Sequence, residues 1–568
     1  VLGALAALAG CGSSGSGGAD PASLAPASAP LYASVAIKPA GGSNAAAVVA
    51  AKKLTHLPEP YGNLAQTLLA SPGASPAYKS EIAPWVGERA GVFVTSLQAD
   101  KLAGSVGSLQ SLMQGGFSGL SSLLSAGSLA AQGTQGAIVV QTSDVGAARS
   151  FVAKQASRQG AHASEYRGVS IDVGRGGLSE GVVKDFVVVG SESALHAAID
   201  TSLGAPSFAS SPGYAKPAAD TIVGAYLKPE ALLATKPSTG SPPPGPSGTS
   251  TQTKGAASQG AATQGAAGQG TATQGASSLV GQLLEGVQSA TLNVTATDRS
   301  LTVDGEAHGN GSAKPLFGPE GARALGELPA TSWLAAGVGD TGANLPRALS
   351  LLQGVASLGS STVFSSFGGP SIERVFKTLA AHSSEVHRDF AAWAGPGGMF
   401  VSGSGLFNLQ AALVIASKDP SASRAAVGKL ASLMGSAGAT VASASIPGTD
   451  AARSVKLQGF PAVIFIADGG GKFVLGLGQQ SIEGAISPPA TLSTSPAYAS
   501  AAATLGGGIE PSVIVEFPTL LGFLEGIGLT QSPSVSGLVP YLHSLGTLAA
   551  GVGVTGNTQR YKAVLGLA

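Results

Sequence analysis

The sequence predicts an α+β fold in two related lobes, each a mainly antiparallel sheet with helices packed on it. Three observations carry this expectation. A strand–turn–helix pattern occurs twice. Phe186-Val-Val-Val-Gly190 leads into Leu195, Ala198 and Ile199, and Phe473-Val-Leu-Gly-Leu477 leads into Ile482, Ala485 and Ile486, 287 residues on at both ends (473 − 186 and 486 − 199). Apolar residues at i, i+3 and i+4 mark the helical part. Other motifs recur in the same order: Trp85-Val-Gly87 and Trp393-Ala-Gly395, Ile138 to Asp144 and Leu413 to Asp419, Ser211-Pro-Gly-Tyr214 and Ser495-Pro-Ala-Tyr498. Hairpins join the short strands more often than helical crossovers do, which argues against a doubly wound parallel core. The recurrence reads as an internal duplication.

Composition fits two domains. The chain has 568 residues, 44% of them hydrophobic, so each half can bury a core. Basic and acidic residues balance at 31 each, with no basic stripe, which argues against nucleic acid as a partner. Cys11 is the single cysteine, so an intrachain disulfide and a cysteine zinc site are both excluded.

Residues 1–10 are apolar and small, and too short to span a bilayer. Leu8-Ala9-Gly10-Cys11 resembles the bacterial lipobox, in which the cysteine is lipidated, and 1–10 reads as a truncated lipoprotein signal peptide. Cys11 is therefore the expected lipid attachment site, on the outer face of the cell membrane. A Gly/Ser-rich tether over 11–23 spans roughly 20 Å as a random coil.

The first unit is expected over 24–312. Strands are predicted at 31–37, 85–94, 137–141, 166–173, 182–189 and 221–227, with a closing hairpin of 288–296 and 300–307 turning at Asp298-Arg299. Helices are expected at 46–54 and 64–69, from Ser75 with Pro76 in the first turn, from Asp144, over 191–203, and briefly from Ser211. The stretch 98–136 is Leu-, Gly- and Ser-rich without a clean period and reads as a loose insertion. Residues 236–278 carry Gln-Gly every five residues, a period that builds no amphipathic face, so a disordered low-complexity insertion is expected. Deleting it should leave thermal stability unchanged. A connector at 313–325 leads to the second unit, 326–568, where the element order repeats.

The matched residues resemble the domain-of-unknown-function 3352 family of actinobacterial secreted and lipid-anchored proteins. The resemblance rests on Ala29-Pro-Leu-Tyr-Ala33, Pro84-Trp-Val-Gly-Glu-Arg89, Tyr166-Arg-Gly168 and Phe186-Val-Val-Val-Gly190. It implies fold and location, and no activity or cofactor.

Each candidate for chemistry has a structural reading. Asp144 and Asp419 read as helix N-caps, and Arg149 and Lys154 as solvated helix edges. Gly177-Leu-Ser-Glu-Gly181 fits the G-x-S-x-G pattern but precedes a strand, so a hairpin turn is expected in place of a nucleophile elbow. His382 and His387 are five apart, which places them on different helix faces, unlike the i, i+4 zinc pair. Asp468-Gly-Gly-Gly-Lys472 lacks the phosphate-loop ending and reads as a turn. Trp85 and Trp393 read as core anchors. No catalytic, cofactor or metal residue is assigned. The expectation is a non-enzymatic envelope module that binds an envelope protein, polymer or lipid. A solute- or lipid-binding protein using the cleft between lobes is the alternative, and an envelope hydrolase a weaker one.

Overall fold

The computed structural model describes residues 19–38, 42–70, 76–96, 135–174, 177–228, 286–309, 315–345, 374–375, 377–379, 381–405 and 407–568. Cys11, the insertion 236–278 and the Leu/Gly-rich stretch as far as residue 134 lie outside them, as does Ser75.

The first half runs β1 (Leu31–Ala36), α1 (Gly42–Thr55), α2 (Pro60–Leu68), a π-helical turn (Tyr78–Ile82), β2 (Val86–Ser96), β3 (Gln135–Thr142) and α3 (Val145–Gln159). A meander follows: β4 (His162–Tyr166), β5 (Val169–Val173), β6 (Leu178–Val183) and β7 (Phe186–Ser191). Then come α4 (Glu192–Ser202), β8 (Thr221–Leu227), β9 (Val287–Ala296) and β10 (Ser300–Gly309). The second half runs α5 (Pro319–Gly326), β11 (Ser332–Val338), α6 (Ser383–Ala391), β12 (Ala394–Ser402), β13 (Gln410–Ser417) and α7 (Pro420–Ser436). Its meander is β14 (Thr440–Ser443), β15 (Ala451–Lys456), β16 (Val463–Gly469) and β17 (Lys472–Leu477). The chain ends with α8 (Gln479–Ile486), α9 (Pro496–Leu505), β18 (Pro511–Glu516), α10 (Phe517–Gly526), α11 (Pro533–Ser536), α12 (Val539–His543), β19 (Leu545–Thr555) and β20 (Thr558–Leu567).

Every described strand pairing is antiparallel. The first half pairs in the order β4-β5-β6-β7-β3-β2-β1-β8-β9-β10. The second pairs as β14-β15-β16-β17-β13-β12-β11-β18-β19-β20, the same order strand for strand. The halves are not separate sheets. β10 pairs antiparallel with β20, from Ser300 opposite Gly566 to His308 opposite Thr558, and one sheet runs through both.

Helices cover both faces of this sheet, which explains its continuous apolar strands: Ala137, Ile138, Val139 and Val140 are all fully buried. On one face α2 and α3 pack over Trp85, Ile138, Val140 and Val187, and α6 and α7 pack over Trp393, Ile415, Ile466 and Phe473. On the other, α4 covers Phe93, Val139, Phe186 and Val188, while α5, α8 and α9 cover Phe400, Ala412, Val414 and Val474. Trp85 and Trp393 are each 1% exposed, so both tryptophans anchor cores.

Several local expectations change. The helix expected at 64–69 starts earlier, at Pro60, whose missing N–H costs nothing in the first turn. In place of the two strands expected at 166–173 and 182–189, four strands, β4 to β7, form a meander from His162 to Ser191. Its first turn is Arg167-Gly168, where both residues have positive φ. Ser211-Pro-Gly-Tyr214 starts no helix. Gly213 has φ 81°, and Pro217 disfavours helical backbone at Lys216, whereas Ser495 caps α9 by accepting from the Tyr498 N–H. Residues 319–325, expected as connector, lie in α5, which packs on β11 and β12.

Candidate functional site

The recurring order allows position-by-position comparison of the halves, and hydrogen bonds fix the register. The Ser143 N–H donates to Trp85 O and the Lys418 N–H to Trp393 O, both at 2.7 Å. The Thr142 N–H donates to Asp185 O and the Ser417 N–H to Gly471 O. Phe186 pairs with Gln141, and Lys472 with Ala416. Gln141 and Ala416 correspond, because Asp144 and Asp419 cap α3 and α7 from matching places. Phe186 therefore corresponds to Lys472, 286 residues on (472 − 186), and not to Phe473. The spacing of 287 holds only from the helix onward. The extra residue is Gly478, at φ 74° and ψ 158°, which stands where the first half caps α4 with Ser191. A one-residue slip moves a side chain to the opposite face, so Phe473 lies in the core beneath α7 and Phe186 in the core beneath α4.

Several positions then differ in kind between the halves, Lys472 and Glu180 among them. Where Phe186 is buried, the second half has Lys472, and a pocket of about 320 Å³ opens beside it. Pro396, Gly398, Val414, Ala416 and Lys472 form its floor, and Glu320, Arg323 and Glu327 of α5 and its end line the rim. Lys472 Nζ donates to Ala485 O at 3.0 Å and Ile486 O at 3.4 Å, capping the carbonyl end of α8. Burial pulls its pKa down, opposed by the Glu327 carboxylate. In the first half Pro21 and Tyr32 pack over this end of the sheet. A Cβ on Gly91 would lie 2.8 Å from Pro21 and 3.0 Å from the Tyr32 hydroxyl.

A further difference is Glu180. It pairs with Val189 as Ile466 pairs with Leu475, so a carboxyl replaces a core isoleucine. Glu180 is 6% exposed, and its Oε1 has no partner among the described residues. Burial, then the Asp172 carboxylate across the strand pair, pushes its pKa up to about 8. Gln155 on α3, fully buried with Nε2 unpartnered among the described residues, occupies the position of Leu430 on α7.

The motifs weighed from sequence settle as structure. Ser179 lies within β6, not in a turn, and is wholly buried, so it cannot act as an exposed nucleophile. Asp468 to Lys472 closes the β16–β17 hairpin, with Gly470 and Gly471 at φ 57° and 74°, the signs of a type I′ turn. His382 precedes α6 with Nδ1 2.9 Å from Thr378 O, and His387 lies inside α6. No group of three potential metal ligands occurs among the described residues. Lys154 and Arg158 pair with Glu81, and Lys429 with Asp389. At the seam between halves, Asn293, Asp304, Arg560 and Lys562 line a depression of about 160 Å³, below the roughly 300 Å³ at which small-molecule sites begin. That counts against a binding cleft there. No described helix is long and apolar enough to cross a membrane.

No curated protein matches the chain. Among solved structures, crystal forms III, I and IV of TP0453 match with TM-scores of 0.24, 0.24 and 0.22 and identities of 10%, 9% and 10%. They cover 52%, 52% and 51% of this chain and 82%, 80% and 80% of the other. Overlap this loose carries no argument about fold or function. The match to a family model is extensive: residues 2–506 fit the family described as "Protein of unknown function (DUF3352)", and the chain belongs to that family.

Proposed function

We propose that the protein is an exported cell-envelope lipoprotein, anchored through Cys11 on the outer membrane face, that works as a binding or interaction module without enzymatic activity. One observation carries the reading: Leu8-Ala9-Gly10-Cys11 follows a small apolar run and precedes a Gly/Ser stretch that offers a cysteine no core to join. Two acyl chains at about 0.8 kcal/mol per buried CH₂ hold such a protein on a bilayer. The partner is an envelope protein, polymer or lipid. The same strand order in both halves supports descent from one duplicated unit as part of this reading.

The test is metabolic labelling with an alkyne-bearing fatty acid. Label should enter the wild-type protein, and Cys11→Ser should remove it and release the chain into the medium. A mature protein carrying a free thiol at Cys11 would sink the proposal. The 320 Å³ pocket supports a second reading, a solute-binding lipoprotein whose site lies within the second half and not between the halves.

A further inference from the structure

We propose that the pocket between α5 and the β12–β13–β17 floor binds a small zwitterion, a molecule of free amino acid size carrying one carboxylate and one ammonium group. This rests on the binding-module reading and gives it a ligand class. At the corresponding place the first half has Phe186, 2% exposed, and a short helix at Pro21–Ser23 pressed on Gly91. An amine in place of a buried phenyl ring gains nothing as packing, because burial disfavours its charged form.

The rim and floor carry both signs of charge. Lys472 spends two of its three N–H groups on the carbonyls of Ala485 and Ile486, which leaves one. Among the described residues, Arg323, Glu320 and Glu327 form no ion pair within 4.0 Å, although the Glu327 carboxylate acts on Lys472 through space. A simple anion would meet Lys472 and Arg323 but also two carboxylates. A simple cation would meet the reverse. A molecule with both groups matches the set, its carboxylate toward Lys472 and Arg323 and its ammonium toward Glu320 and Glu327. Gly398, Val414 and Ala416 supply an apolar floor suited to a short aliphatic portion. The volume of about 320 Å³ admits a small molecule and not a polymer chain.

The experiment uses the full chain with glycine, L-alanine, L-glutamate and L-lysine as probes, and acetate and methylamine as single-charge controls. Binding is read by saturation-transfer NMR and calorimetry. At least one zwitterion should bind about tenfold more tightly than either control, the scale of one charge-assisted hydrogen bond. Arg323→Gln, a change at an exposed side chain, and Ala416→Leu, which fills the floor, should each weaken binding about tenfold or more at unchanged melting temperature. The proposal is overturned if no zwitterion binds, if acetate or methylamine binds as well, or if both variants bind like wild type. None of these results touches the Cys11 labelling. Conversion of a bound probe into a product would overturn the non-enzymatic reading and leave the site standing.

Discussion

Glu180→Gln should make the stability of the first half rise relative to wild type as pH increases. The pKa of Glu180 climbs from 4.5 to about 8 on folding, because its carboxyl is buried and Asp172 lies opposite. Between those values the folded chain keeps a proton that the unfolded chain has released. Wild-type stability therefore falls by about 1.4 kcal/mol per pH unit across that window. The cost is absent below pH 4.5 and complete above about pH 8; at neutral pH it is about 3 kcal/mol. Glutamine cannot titrate, so the difference between variant and wild type should grow from nearly nothing at pH 4.5 toward that figure. Glu180→Ile, which copies Ile466, should show the same pH trend and add packing. The assay is hydrogen exchange of the β6–β7 amides under a urea series at several pH values. Parallel curves for wild type and Glu180→Gln would refute the argument, since they would mean that the carboxyl ionises in the fold as easily as in water.

Three further substitutions test the packing. Gly337→Ala should lower the melting temperature by an amount equivalent to about 2–3 kcal/mol, because its Cβ would lie 1.9 Å from Gly321 O and lift α5 off β11. Gly428→Ala is the contrast. Its Cβ meets nothing within 4 Å, so a gain of about 1 kcal/mol in helix propensity should appear in the same melt. Asp144→Ala removes the side chain that accepts the Ala147 N–H at the start of α3 and should cost about 1 kcal/mol in urea titration.

Much of the fold was legible because it is written in local signals. Asp144 and Asp419 mark helix starts whatever surrounds them, and both cap as expected. The hairpin turning at Asp298-Arg299 needs only alternation and a turn, and β9 and β10 form it. What stayed hidden depends on partners distant in sequence. The β10–β20 pairing joins strands some 260 residues apart (562 − 304), and neither strand alone states which edge it will meet. Ser211 and Ser495 carry nearly the same four residues, yet only the second starts a helix. The outcome turns on Gly213, inside the motif, and on Pro217 three residues beyond it.

The candidate site was hidden for a sharper reason. Aligning the halves by residue type sets Phe186 against Phe473, two aromatic residues in similar strands, and the match looks complete. Hydrogen-bond register sets Phe186 against Lys472 and shows that the second half has exchanged a buried ring for an amine. The two alignments differ by one residue, and Gly478 absorbs it in a backbone conformation open mainly to glycine. Since strand side chains alternate between faces, that single step decides which core each residue joins. The same correction places Glu180 against Ile466, which turns an unremarked acid in a G-x-S-x-G match into a buried carboxyl. Positions where two like-ordered halves disagree in polarity are where packing alone no longer explains the residue. Lys472 and Glu180 are two such positions, one lining a pocket and the other a buried carboxyl that should make stability depend on pH.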